Sequence, residues 1–412
     1  MAFSSAALGI LIWVGLCWHS MTLFADPIIN DLHLQARSQF YLIITLASTG
    51  NTIVALLAYG QIVARLGVRK TCIVGGLGCT LGYVILAVSP SIVLMYVGAL
   101  IYGFSLSLVN VNNMNLVIQK WFSPSRMGTF VGICHAISSI AGVIFEIVVA
   151  AWIASMGYHI VLWAIAAISC VGTFIVAGLY KGDPEQLNEP RLFMKPGEEA
   201  QDEAGNIEIK QEGPSYKAML RKPRFWALAF VELLTGIIGF AVYSNLTLFA
   251  VDMGYGDMSG IVLSVALASS AISMVPLGLL ADKFKSKTMI IVALGFLIVA
   301  AAILLKGTVP LAVLFFVAVC LGIAYNLVCI PMGLTALESF GNRDYSKKLG
   351  TFNGLMFGGC SLAPIMFSGI YDLTGQTYTY SLIFVIVCAV ICGLLITPLT
   401  RRPKADFEDA AE

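Results

Sequence analysis

Four ionisable side chains stand inside long apolar runs of this 412-residue chain: His19, His135, Glu146 and Glu232. An acid or imidazole held at membrane depth is costly unless it faces a partner or a cavity, and such groups are natural carriers of protons. His135 and Glu146 are eleven residues apart. On a helix they project from one face, about 16 Å apart along the axis, too far for a direct bond. They could load and release a proton in sequence, with Glu232 as a third candidate. Uncharged amides are denser: Asn110, Asn112, Asn113 and Asn115 in one run, Asn245 beside Tyr243, Asn326 beside Tyr325, and Asn353. An amide orients a carboxylate, a hydroxyl or another amide without supplying charge. Every one of these residues has a second reading, a hydrogen bond between helices.

Other chemistries are not indicated. The ten cysteines are single, without a CxxC pair, and the four histidines have no HxxxH or HExxH spacing, so neither a metal site nor a disulfide frame is expected. No Gly-x-x-x-x-Gly-Lys-(Ser/Thr) loop occurs, so any work done must draw on a gradient or on exchange. No cofactor is implied, and a membrane enzyme would need clustered catalytic groups that the sequence does not supply. Asn245-Leu-Thr247 matches a glycosylation sequon but lies inside an apolar run.

The elements that hold these residues follow from composition. Hydrophobic residues make up 58% of the chain and charged ones 11%, against about 45–50% and 25% in soluble domains. One water-soluble core cannot hide that excess, so lipid must solvate most of the surface. Runs of span length fall at about 5–25, 38–63, 71–89, 91–118, 127–154 and 158–180, then at 225–251, 258–281, 288–305, 310–337, 349–371 and 378–399. The first is read as a retained helix, because no basic segment precedes it. With the N-terminus in the cytoplasm, only Arg37 and Lys306 of the 24 basic residues fall outside. Both termini are therefore expected to be cytoplasmic. The reading is an all-α membrane protein of twelve transmembrane helices in two six-helix halves, 1–181 and 223–400. Between them lies a polar, mostly disordered cytoplasmic linker at 182–222, with a short helix near Ser215–Leu220, and a tail follows at 401–412. A net charge of +1 gives no reason to expect nucleic acid.

The halves repeat one another. Gly60-Gln-Ile-Val-Ala-Arg65 returns 218 residues later as Gly278-Leu-Leu-Ala-Asp-Lys283, and Gly128-Thr-Phe-Val-Gly132 returns 222 residues later as Gly350-Thr-Phe-Asn-Gly354. The paired Gly-x-x-x-(Asp/Ala)-(Arg/Lys) loops resemble the signature of the major facilitator superfamily. Gln119-Lys-Trp-Phe122, Met219-Leu-Arg-Lys-Pro-Arg-Phe-Trp226 and Gly369-Ile-Tyr-Asp-Leu-Thr-Gly375 resemble its oxalate/formate-antiporter and monocarboxylate-porter branches. The resemblance implies the major facilitator fold, a monomer, and a pathway lined by spans one, four, seven and ten. His19, Asn112, Asn115, Tyr243, Asn245, Tyr325, Asn326 and Asn353 then become candidate substrate contacts, and Gly60, Arg65, Gly278 and Asp282 a gating motif.

Two departures qualify this. Ala64 stands where the family has an aspartate, which the second half keeps as Asp282, so a weaker lock is expected in the first half. Met274 stands where carboxylate porters of this branch place an arginine, and no lysine lies between Gly350 and Ile370. A dicarboxylate is therefore disfavoured. The expected function is secondary transport of a small organic solute, a monocarboxylate or related weak acid, across the cell membrane, with proton coupling or exchange. Export of amphipathic compounds and a non-transporting sensor are the alternatives.

Overall fold

The computed structural model describes residues 1–34, 37–193, 200–201, 207–208, 212–255, 258–329, 331–375 and 377–399. The tail at 401–412 and parts of the 182–222 linker lie outside them. Eleven described helices are long and apolar enough to cross a membrane. In chain order they are α1 Ala2–Phe24, α2 Gln39–Leu57, α3 Tyr59–Val88, α4 Ile92–Trp121, α5 Met127–Met156, α6 Tyr158–Leu179, α7 Pro223–Ser244, α8 Ser259–Phe284, α9 Ser286–Leu304, α10 Leu311–Val328 and α12 Tyr378–Leu399. The twelfth long helix, α11 Tyr345–Leu373, is richer in glycine and polar residues. The expected all-helical, multi-pass membrane architecture is therefore present. Its one β feature is a pairing of Ala200–Gln201 with Ile207–Glu208. Helices prevail because hydrocarbon offers backbone groups no partners, so each N–H and C=O must be satisfied within its own segment. Large apolar side chains such as Phe174, Trp226 and Leu394 remain exposed on the outer faces, where lipid replaces water.

The chain divides into two compact units: Met1–Pro124, Ile137–Lys210 and Ser346–Gly354 form one, and Ser125–Ala136, Gln211–Tyr345 and Leu355–Glu412 the other. The division thus differs from a simple cut at the linker, because the first turns of α5 belong with the second unit and those of α11 with the first. Glycine explains both exchanges. A Cβ on Gly278 would stand 2.4 Å from the Gly128 carbonyl oxygen within the second unit. A Cβ on Gly60 would stand 2.4 Å from Lys347 Cα within the first. Without hydrophobic drive between helices in lipid, such close backbone approach supplies the packing that holds them.

The backbone itself repeats. Gly67 turns the chain between spans two and three at φ 74°, ψ 169°, and Lys285, 218 residues on, does the same between α8 and α9 at φ 73°, ψ 162°. His33 and Gly254, and Gly157 and Gly375, form two further pairs of positive-φ residues. At the ends remote from the basic loops, the Tyr158 hydroxyl donates to Asp31 at 2.5 Å and the Tyr378 hydroxyl donates to Asp252 at 2.5 Å. In each half an acid beyond the first helix is thus tied to the first residue of the last. Of the linker, Pro184–Leu187 and Tyr216–Leu220 are short helices, the second capped by Ser215, whose Oγ accepts from Ala218 N at 3.4 Å.

Candidate functional site

Four helices are irregular, and they are the first and fourth long helices of each half. In α1 the segment Leu11–Trp18 winds as a π-helix, a form that frees carbonyls and often marks function. Tyrosines of neighbouring helices take two of them: Tyr83 donates to Cys17 O at 2.5 Å and Tyr102 to Trp13 O at 3.3 Å. α4 breaks at Asn110, whose backbone leaves the helical region at ψ −147°. Its Oδ1 accepts from Asn112 N at 3.1 Å and restarts the helix, while its Nδ2 donates to Asn51 of α2 at 2.9 Å. α7 ends at Asn245, whose Nδ2 donates back to Ala241 O at 2.9 Å, and a short helix, Leu246–Asp252, continues the path. α10 tightens at Asn326–Val328 into a 3-10 turn, and the chain resumes at Pro331–Phe340. Pro331 cannot donate to an earlier carbonyl, which accounts for the interruption. Asn326 Nδ2 fills the gap by donating to Ser273 Oγ of α8 at 2.9 Å and to Ile323 O at 3.2 Å. In three of the four helices, an asparagine stands at the break.

Within the first unit, Asn353 of α11 donates to Asn112 Oδ1, so two amides read separately in the sequence form one pair. Asn115 is fully buried, and neither its Nδ2 nor its Oδ1 has a partner among the described residues. His19 lies flat on α5, its Cδ2 3.0 Å from where a Cβ on Gly142 would stand. Gly142 is one turn before Glu146, which is half-buried.

The second unit gathers the rest. Tyr243 and Tyr325 stack with centroids 4.5 Å apart at 23°, with Phe240 beside them. His135 bonds the backbone of Cys329, directly after the α10 break, and its Nε2 has no partner among the described residues. Glu232 is 2% exposed, its Oε1 unpartnered, with Thr335 beside it. His135 and Glu146, though on one helix, belong to different units, and His135 takes its bond from α10.

The gating-motif residues are unequal. Asp282 at the end of α8 receives Gly128 N at 2.6 Å, Thr129 N at 2.8 Å and the Thr129 hydroxyl, with Arg126 close by. These are free N–H groups in the first turn of α5, where a carboxylate is favoured by both hydrogen bonding and the helix dipole. Ala64 and Arg65 are exposed. The reason an acid is dispensable there lies in α11. It starts at Tyr345, five residues before Gly350, whereas α5 starts at Met127, one before Gly128. The N–H groups of Gly350 and Thr351 are already inside the helix and need no outside acceptor.

Two residues escaped the sequence reading. Glu338 accepts from Ser286 N at 3.0 Å and Ser286 Oγ at 2.7 Å, capping α9. Lys348, taken as a loop cation, is fully buried in the first turn of α11. Outside the spans, burial and the neighbouring Asp183 carboxylate push the Tyr180 hydroxyl's pKa up, and Lys120 pairs with the same carboxylate.

The Major Facilitator Superfamily family model matches residues 2–364. The chain belongs to that superfamily. No curated protein matches it in sequence. Solved structures do match in fold. The E. coli fucose:proton symporter FucP has a TM-score of 0.69 at 15% identity, covering 97% of this chain and 98% of that one. A FucP structure in the outward conformation gives 0.69 at 14%, covering 97% and 100%. The human organic anion transporter MFSD10 (TETRAN) gives 0.67 at 14%, covering 96% and 98%. This major facilitator protein is a transporter rather than an enzyme, built to pass a small molecule. Branch and substrate are matters for the site.

Proposed function

We propose that this protein is a secondary active transporter of a small organic anion of the monocarboxylate type, working by alternating access with proton coupling or exchange. The observation that carries the reading is the set of breaks in α1, α4, α7 and α10, three of them at asparagines. Irregular backbone at membrane depth is tolerated where it is buried in protein or lines a cavity, and helix breaks with amide donors suit an oriented carboxylate. Asn112, Asn115, Asn326 and Asn353, with the Tyr243–Tyr325 stack and His19, are the proposed substrate contacts. Glu146, His135 and Glu232 are the candidates for coupling, and Gly60, Arg65, Gly278 and Asp282 for gating. The absence of an arginine at Met274 supports a single carboxylate held by amides over a dicarboxylate held by charge. The basic-residue asymmetry supports a monomer in the cell membrane with both termini in the cytoplasm.

The test is uptake of radiolabelled monocarboxylates into proteoliposomes, with and without an imposed pH gradient. Saturable uptake that the gradient accelerates, and that Asn115→Ala reduces, is the expected result. Flux of amphipathic amines or neutral compounds in place of acids would overturn the substrate class, and no flux of any solute would overturn the transport reading.

A further inference from the structure

We propose that Glu232, Thr335 and Ser339 form a binding site for a small monovalent cation, a proton or sodium, enclosed within the second unit. Glu232 is 2% exposed, and its Oε1 has no hydrogen-bond partner among the described residues. Thr335 lies beside it, fully buried, and the Thr335 and Ser339 hydroxyl oxygens are also unpartnered. Thr335 and Ser339 are four residues apart on the helix Pro331–Phe340 and so share a face. Three oxygen atoms from two helices are therefore enclosed with nothing to bond, one of them on an acid.

The groups on the surrounding elements do not answer that need. On α7, Arg224 is turned away, donating to Leu399 O at 2.6 Å and lying over the Phe340 ring. Glu338 on the helix of Thr335 is taken by Ser286. α12 has no Asp, Glu, Lys or Arg from Tyr378 to Leu399 and presents Cys392 toward Glu232. One turn further along α7, Cys360 of α11 donates to Gly236 O at 3.5 Å. No ion pair involves Glu232 among the described residues. A carboxylate without a counter-charge is not sustained in such surroundings, so a cation must neutralise it. Either small cation fits the oxygen set: a proton on the carboxyl would donate to a hydroxyl, and sodium would draw on all three oxygens. The site stands apart from Glu146, which is only half-buried and belongs to the first unit.

The use of this site in coupling rests on the transporter reading, but binding itself is measured without any organic solute. Purified full-length protein in nanodiscs is titrated with acid in sodium-free buffer while the carbonyl band of protonated carboxyl groups is followed by infrared spectroscopy. Parallel samples bind radioactive sodium at fixed pH. The expected result is a titrating carboxyl band or saturable sodium binding in the wild type that Glu232→Gln abolishes. Glu146→Gln retains it, Thr335→Val weakens the affinity about tenfold and Thr335→Ser restores it. A band without sodium binding assigns the proton, and competition between the two assigns sodium. Neither signal in the wild type, or signals unchanged in a well-folded Glu232→Gln or Thr335→Val protein, would overturn the site. Intact cation binding in a protein that moves no solute would count against the transport reading alone.

Discussion

Replacing Asp282 by asparagine should loosen the start of α5 from α8, and the size of the effect follows from its bonds. One carboxylate oxygen serves Gly128 N at 2.6 Å, and the other serves Thr129 N at 2.8 Å and the Thr129 hydroxyl. In Asp282→Asn one oxygen becomes an NH2 group that faces a donor, so at least one backbone bond is lost along with the charge at the helix end. A bond to a charged acceptor contributes roughly 1.5–3 kcal/mol, and Asp282 is only half-buried, so the lower part of that range applies. With the dipole contribution the loss comes to about 2 kcal/mol, or roughly 30-fold in the equilibrium between bound and released arrangements. Val131, fully buried two residues beyond Thr129, reports that release. A Val131→Cys background should react with a small maleimide up to about 30-fold faster when Asp282→Asn is added, and solute flux should fall. Thr129→Val should produce a smaller change in the same direction. If labelling and flux both match the parent protein, the three bonds do not hold this contact, and the reasoning from helix-end donors fails.

Other expectations follow from the same geometry. Ala64→Asp should gain nothing in thermal stability, because Gly350 and Thr351 have no free N–H to offer; a rise in melting temperature would refute that account. Gly278→Val must displace the Gly128 backbone and should cost at least about 3 kcal/mol, seen as lost folded yield on size exclusion. Lys285→Gly relieves a backbone conformation that is essentially reserved for glycine and should stabilise by about 1 kcal/mol in thermal unfolding. Tyr158→Phe and Tyr378→Phe each remove a bond to a carboxylate, and the part-buried Tyr158 pair should lose more, about 1–2 kcal/mol, than the exposed Tyr378 pair.

The helices and the duplicated glycine motifs were legible because both are local: apolar runs have span length, and Gly60 and Gly278 stand at one offset. The breaks were not, since hydropathy is blind to a single residue leaving the helical region, and Asn110 reads as one more amide among four. His135 and Glu146 share a face of α5, as spacing required, yet spacing could not show that His135 is taken by Cys329 of α10. The Tyr158–Asp31 and Tyr378–Asp252 bonds span 127 and 126 residues and leave no local pattern. Comparing the halves at the offset of the glycine motifs would have found them. Ala64 looked like a missing lock. Only the starting residue of α11 shows that the missing acid would have had nothing to accept.

A helix whose ladder of hydrogen bonds is complete bends as a whole, like a rod; one with a rung out bends at the gap. The gaps at Asn110, Asn245 and Asn326 therefore set where compliance is concentrated, near the middle of the paths that α4, α7 and α10 trace. The two segments of each of these helices can tilt separately while the helices without gaps keep their shape. Amide exchange in deuterated buffer should show this as fast-exchanging N–H groups just after each asparagine, flanked by slow ones on both sides.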